Sequence, residues 1–188
     1  MTTETVSTTT TSLTGDYDVD PAHSRVGFAA KHAMVTTVRG HFADFTSELH
    51  LDDEHVENST ARIEIRTASL DTGNAQRDEH VRNSDFLDVE NFPTITFVST
   101  QVEQTGEDTY AVTGDLTVKD VTKPVTVAFE KTGAADDPWG NFRVGFEGGT
   151  VINRKDFGVN WNVALEAGGI LVSDKVRLEF DIAAVRRK

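Results

Sequence analysis

Apolar and polar residues alternate with a period of two along most of this chain, which is the pattern of β-strands that bury one face. The clearest example is residues 61–66, where an alanine and two isoleucines alternate with charged side chains. Similar alternation recurs in segments 24–32, 42–51, 95–102, 110–118, 125–129, 142–149, 159–165 and 176–182. We predict about eight long strands from this pattern.

No long helical pattern separates these strands, which favours antiparallel neighbours over parallel strands joined by helices. Gly148 and Gly149 interrupt one strand at a point where a sheet can bulge or bend sharply, as a sheet that closes on itself must. We therefore predict an all-β fold that closes into a barrel. An eight-stranded barrel has room inside for one small ligand.

Residues 71–98 are the segment that breaks the alternation. Asn74 is a suitable N-cap for a helix, and the ring of Pro93 holds Phe92 in an extended conformation that ends any helix. We therefore predict a short helical insertion over about residues 74–90 that covers one end of the barrel. Some of the apolar side chains of this segment are expected to line or plug that opening, and the candidates are Phe86, Leu87, Val89 and Phe92.

A length of 188 residues is enough for one substantial core, so we predict a single domain over residues 16–188. Residues 1–15 are rich in Thr and Ser with almost nothing to bury, which indicates a disordered tail. The net charge of −13 argues against nucleic acid as a partner, because phosphate binding depends on Lys and Arg. The lack of cysteine excludes disulfides, thiol catalysis and thiolate metal sites.

No apolar run approaches the roughly 20 residues of a membrane span, so we predict no stable membrane insertion. The N-terminus has neither the basic nor the apolar region of a secretory signal, and we expect a cytoplasmic protein. The sequence leaves a homodimer open and calls for no cofactor.

Histidine suggests one alternative chemistry. The chain has six His, and His32, His41 and His50 recur at intervals of nine. An odd interval alternates faces within a strand, so nothing in the spacing brings these three imidazoles together. A metal-handling protein is therefore a weaker alternative.

The predicted helix suggests a second alternative, a small barrel enzyme that uses Asp78 or His80 for acid-base chemistry. Arg77 and His80 share a helix face, while Asp78 and Arg82 stand four residues apart and are expected to pair. A solvated, self-paired cap has the same pattern, and we favour that interpretation. Near the C-terminus, Arg154 and Asp156 either form a pair that braces a turn, which we favour, or contact the ligand.

Four motifs, in order, carry a family resemblance: GDYDVDPAHSRVGFAAKH with VRGHFADF, then RDEHVRNSDFLDVENFPTITFVST, then VTGDLTVKDVTKPVTVAF, then INRKDFGVNW. From Gly15 to about Val185 the chain resembles the YceI family, whose lipocalin-like domain binds polyisoprenoid lipids. The resemblance implies an eight-stranded antiparallel lipocalin-like β-barrel with a long hydrophobic pore, and binding rather than catalysis.

We therefore expect a protein that binds a long-chain isoprenoid or similar amphiphilic lipid in its pore, for transport, storage or sequestration. In a barrel of this size, core and pocket occupy the same inward positions, so the pattern alone does not separate a filled barrel from a hollow one. The side chains expected to contact the ligand are Phe28, His32, Phe42, Phe45, Ile63, Ile65, Phe86, Phe97, Phe146, Phe157 and Trp161.

Overall fold

The computed structural model describes residues 11–188, which form one antiparallel sheet of eleven strands and one α-helix. The strands are β1 (Gly15–Val19), β2 (Arg25–His32), β3 (Thr36–Phe42), β4 (Phe45–Leu51), β5 (Thr60–Arg66), β6 (Leu70–Asp71), β7 (Thr94–Gln104), β8 (Thr109–Val118), β9 (Val121–Asp136), β10 (Phe142–Asn153) and β11 (Val172–Arg186). The helix is α1 (Ala75–Arg82). Residues 1–10 of the predicted tail lie outside the described residues.

The sheet closes into an eight-stranded barrel, as predicted. Three pairs of consecutive strands, β1 with β2, β3 with β4 and β5 with β6, each act as one long bent strand. Strand β11 closes the ring, because it pairs with β10 on one side and with β2 and then β1 on the other. Strand β1, which the alternation pattern did not predict, is therefore needed for closure.

The barrel has two different ends. Helix α1, the β2–β3 turn and the loop over residues 158–171 lie at one end, called the α1 end below. The β4–β5 and β9–β10 turns lie at the other end, together with residues 12–14, which hydrogen-bond to Asp53. We call this second end the Asp53 end. No helix within residues 11–188 is long and apolar enough to span a bilayer.

The helical insertion forms, but its helix is shorter than predicted. Asn74 is the N-cap, and its side chain accepts a hydrogen bond from the Arg77 N–H at 2.9 Å. The helix ends at Arg82 because Asn83 adopts an extended conformation, with ψ of −178°, and residues 83–93 continue as turns. The apolar residues Phe86 to Phe92 therefore belong to a segment of turns rather than to the helix.

The expected pairing of Asp78 with Arg82 is wrong. Arg82 donates from Nε to the carbonyl oxygen of Ala68 at 3.0 Å and from Nη2 to that of Leu70. Asp78 is buried and accepts hydrogen bonds from the N–H of Thr72 at 2.8 Å and from its hydroxyl at 2.5 Å. The two side chains thus fasten the helix to residues 68–72, which offer stronger partners than a solvated ion pair does.

Residues 159–165 do not form the predicted strand. The structure has there an irregular loop with a single bridge between Ala164 and Ile170. The carbonyl oxygens of Val159 and Trp161 accept hydrogen bonds from the Arg154 side chain, each at 2.9 Å, and are therefore not available to a neighbouring strand. The alternation is real, but a buried arginine takes the place of a strand partner.

The tightest packing lies where β1, β10 and β11 meet. Tyr17 and Ala184 have no exposed surface, and Val144 is 1% exposed. A second and larger buried cluster, which includes Val26, Ile65 and Leu116, faces the barrel interior. The first cluster holds the closure of the barrel, and the second forms part of the wall of the interior space.

Candidate functional site

The barrel interior is a cavity of about 1100 Å³. It extends from Leu13 and Val56 at the Asp53 end to His80 and Trp161 at the α1 end. Inward side chains of the long strands form its wall, and most of them are apolar. Its volume is at the upper end of the roughly 300–1,000 Å³ of pockets for drug-sized ligands. Because its apolar lining reaches both ends of the barrel, the cavity suits an elongated apolar molecule.

Ten of the eleven side chains expected to contact a ligand line this cavity: Phe28, His32, Phe42, Ile63, Ile65, Phe86, Phe97, Phe146, Phe157 and Trp161. Phe45 does not line it. Phe45 is buried in the core at the start of β4, opposite Ile65 on β5.

Two aromatic side chains lie flat on the wall because glycine stands opposite each of them. Phe28 pairs across strands with Gly40, and a Cβ atom on Gly40 would lie 2.4 Å from the Phe28 ring. Phe129 pairs with Gly148 in the same way, and a Cβ there would also lie 2.4 Å from the ring. The rings occupy the space that the missing side chains leave, which keeps the barrel axis open.

Polar side chains of α1 face the cavity at the α1 end. Arg77 lines it and is held by Thr72, to which it donates from Nε to the hydroxyl at 2.7 Å and from Nη2 to the carbonyl at 2.8 Å. His80 lies one turn further along the same face and also lines the cavity. Asp78 is not among the lining residues. Of the two residues considered for acid-base chemistry, His80 therefore faces the cavity and Asp78 does not.

An aromatic cluster connects α1 to the loop over residues 158–171. The His80 ring contacts the rings of Trp161 and Phe86 edge-on, with centroid distances of 4.7 Å and 5.0 Å, and Phe86 lies 5.2 Å from Trp161. Nε2 of His80 lies 2.9 Å from a carboxylate oxygen of Asp85. The three rings all line the cavity at its α1 end.

Arg154 fixes the other side of that end. Its guanidinium is 5% exposed and donates to the carbonyl oxygens of Val159, Trp161, Val172 and Ser173. Burial lowers the pKa of this guanidinium below its ordinary value. The predicted pair with Asp156 is wrong, because Asp156 is exposed and the nearest carboxylate oxygen belongs to Asp174, 3.9 Å away. Arg154 thus positions Trp161 by holding its backbone.

Apolar side chains are also exposed around the α1 end. Met34 and Val35, at the tip of the β2–β3 turn, are 66% and 78% exposed, and Val163 is 47% exposed. Backbone hydrogen bonds join these segments, because the N–H of Ala33 donates to Leu171 at 2.7 Å and the N–H of Leu171 donates to Val163 at 2.9 Å. Residues 33–38 and 159–165 contain no charged side chain, although 26% of the chain is charged.

The metal-handling alternative requires clustered ligands. Within residues 11–188, no group of three or more His, Asp or Glu side chains is arranged to hold a metal ion. His32 lines the cavity, whereas His50 lies 2.8 Å from Asp16 on the exposed surface. The three histidines with intervals of nine therefore do not form a site.

Sequence reasoning missed Leu13, which lines the cavity at the Asp53 end. It is a single apolar residue among Thr and Ser, so periodicity gives no signal for it. It also missed the pairing of aromatic side chains with glycines, because that pairing depends on the register between strands.

Comparisons with known proteins agree with this geometry. The YceI-like domain family matches residues 17–184. A UPF0312 protein of Azotobacter vinelandii is 42% identical over 149 residues, which cover 78% of each chain. The crystal structure of BcnA from Burkholderia cenocepacia has a TM-score of 0.78 at 28% identity and covers 88% of this chain and 99% of its own.

A polyisoprenoid binding domain from Saccharophagus degradans, implicated in plant cell wall breakdown, has the same fold. Its TM-score is 0.67 at 14% identity, and the match covers 91% of this chain and 98% of that one. The family match covers nearly the whole barrel, and the motifs that suggested it lie on the walls and at the ends of the cavity. The chain therefore belongs to the YceI-like domain family.

Proposed function

We propose that this protein binds a long-chain isoprenoid or a similar amphiphilic lipid, and that it acts in transport, storage or sequestration of that lipid rather than in catalysis. The observation that carries the proposal is the continuous apolar cavity of about 1100 Å³ along the barrel. Family membership and the polyisoprenoid binding domain of the same fold support it.

Burial of apolar surface supplies the binding free energy in this proposal, at about 25 cal/mol per Å². The wall has few polar groups away from its ends, so the shape of the cavity determines which tails fit. Polar side chains at the α1 end, which include Lys31, His32, Arg77, His80 and Asp85, are available to a ligand that carries a polar head.

Native mass spectrometry of freshly purified protein tests the proposal, together with solvent extraction and metal analysis. We expect a co-purified lipid that solvent removes and that rebinds afterwards. Val127→Trp places a large ring at an inward position that is 4% exposed and should abolish retention. Ala128→Trp, at the adjacent outward position, is the control and should retain lipid. Equal retention by both variants, or no lipid on the wild type before or after exposure to prenols, would overturn the proposal.

A further inference from the structure

Residues 12–14 form a strap across the Asp53 end of the barrel. One carboxylate group, that of Asp53, accepts hydrogen bonds from all three: from the Ser12 hydroxyl at 3.0 Å, from the Leu13 N–H at 2.8 Å and from the Thr14 hydroxyl. The Asp53 N–H donates in return to the Thr14 hydroxyl at 3.1 Å. The bond from the Thr14 hydroxyl is the main reason that the pKa of Asp53 lies below its ordinary value.

Residues of β1 and β11, the two strands that close the barrel, also hold the strap. The Tyr17 hydroxyl donates to the carbonyl oxygen of Leu13 at 2.7 Å, and Nε of Arg186 donates to the Tyr17 hydroxyl at 3.1 Å. Nη2 of Arg186 also donates to the carbonyl oxygen of Ser12. Tyr17 has no exposed surface. Both the N–H and the carbonyl of Leu13 therefore have fixed partners, which sets the direction of its side chain.

The Leu13 side chain enters the cavity. It is half-buried, packs against the buried cluster of Tyr17, Val144 and Ala184, and lines the cavity at this end. The lining at this end also includes the polar side chains of Asp52, Asp53 and Ser59. Leu13 is thus an apolar lining residue that the strap places where the cavity meets these polar groups.

We propose that Leu13, positioned by Asp53 and Tyr17, determines the length of the lipid tail that the cavity accepts. This inference rests on the proposed lipid-binding function and names the residue that makes it selective. Each methylene buried in the cavity improves the dissociation constant about fourfold, and a tail that must pass Leu13 loses that gain.

The experiment offers the delipidated full-length protein an equimolar mixture of farnesol, geranylgeraniol and solanesol, which are prenols of increasing length. Native mass spectrometry then measures the ratio of bound solanesol to bound farnesol. Leu13→Trp should lower this ratio about tenfold, because the cavity then buries about two fewer methylenes of the tail. Leu13→Ala should raise the ratio about tenfold, because about two more methylenes are buried. Asp53→Asn, which weakens the strap, should shift the ratio in the same direction as Leu13→Ala.

Thr11→Trp is the matched control, because Thr11 is an exposed neighbour of the strap and should leave the ratio unchanged. Circular dichroism checks that each variant folds. If Leu13→Trp does not fold, the milder substitution Leu13→Ala still tests the inference. Ratios within about twofold of wild type in the folded Leu13 variants would overturn this inference while leaving lipid binding intact. Failure of the wild type to bind any of the three prenols would instead overturn the proposed function, and this inference with it.

Discussion

The imidazole ring of His80 stands edge-on to the indole ring of Trp161, with centroids 4.7 Å apart and planes at 83°. His80 belongs to α1, and Trp161 belongs to the loop that Arg154 holds. Side-chain packing rather than a strand ladder thus joins the two sides of the α1 end. Such contacts open at a lower free energy than a sheet does.

The α1 segment is expected to respond to the ligand. Residues 74–92 should exchange backbone hydrogens more slowly in lipid-loaded protein than in delipidated protein, because a bound tail packs against Phe86 and Leu87. His80→Ala should speed exchange in α1 of delipidated protein about two- to tenfold, which corresponds to the loss of one aromatic contact. Glu79→Ala, at an exposed neighbour, is the control. Equal protection in both states would show that the ligand enters elsewhere.

Gly40→Ala tests whether glycines keep the cavity open. The added methyl group would lie 2.4 Å from the Phe28 ring, so the ring must tilt into the cavity. We expect the free energy of unfolding to fall by about 1–3 kcal/mol and lipid retention to fall with it. Urea unfolding and native mass spectrometry measure the two effects.

Gly133→Ala is the control for that change, since a Cβ atom there has nothing within 4 Å. A second variant, Phe28→Leu in the Gly40→Ala background, should restore retention because it removes the displaced ring. Unchanged retention in Gly40→Ala would mean that the ring moves without narrowing the space used by the ligand.

Asp78→Asn should destabilise the protein without affecting the ligand. Asp78 is buried, accepts two hydrogen bonds from Thr72 and does not line the cavity. Loss of the charged acceptor is expected to lower the free energy of unfolding by about 1–3 kcal/mol in urea titrations. Glu79→Gln, which is exposed, should change it by no more than about 0.5 kcal/mol. A turnover activity that Asp78→Asn abolishes in folded protein would instead support the enzyme alternative.

Asp20 predicts an acid-dependent contribution to stability. Hydrogen bonds from Arg143, at 2.8 Å, and then from His23 lower its pKa from 3.8 to about 2. A lowered folded-state pKa stabilises the protein above pH 3.8, and this contribution is lost as the pH falls through 3.8 to about 2. Because the Asp20 side chain is 19% exposed, solvent screening reduces its contribution to the free energy of unfolding to about 1 kcal/mol.

Urea unfolding of wild type and Asp20→Asn across that range measures the contribution. The difference in free energy of unfolding should be largest near neutral pH and should shrink by about 1 kcal/mol as the pH approaches 2. Arg143→Met removes the main hydrogen-bond partner of Asp20. In that background, the pH-dependent part of the difference in free energy of unfolding should become small. A difference that does not change with pH would contradict the assignment to this carboxylate.

The exposed apolar residues at the α1 end should affect the rate of loading. A lipid of this kind leaves a bilayer most easily when an apolar surface approaches it, so Val35→Asp should slow transfer of a fluorescent prenol from phosphatidylcholine vesicles about tenfold. Trp139→Asp is a matched control, since Trp139 is also 78% exposed but lies at the Asp53 end. Equal rates in both variants would show that the α1 end is not the entrance.

The amino-acid sequence alone determined the type of fold and most of the cavity wall. Alternation is a local property, so Ile63, Phe97 and their neighbours could be assigned to the inward face before any strand was paired. The N-cap Asn74 and the stop at Pro93 are equally local, and the insertion lies where they predict. The compartment, the oligomeric state and the lipid itself stay predictions.

Only the tertiary structure decided whether the barrel is hollow. That property depends on Gly40 facing Phe28 and Gly148 facing Phe129, and cross-strand register is not visible in the period of one strand. The same holds for the loop at residues 159–165, where alternation predicted a strand but Arg154 takes the carbonyl groups. Leu13 meets Asp53, 40 residues away, and Arg186 reaches back to Ser12 across 174 residues. Contacts over such distances form only when the barrel closes, because closure is what brings the two ends of the chain together.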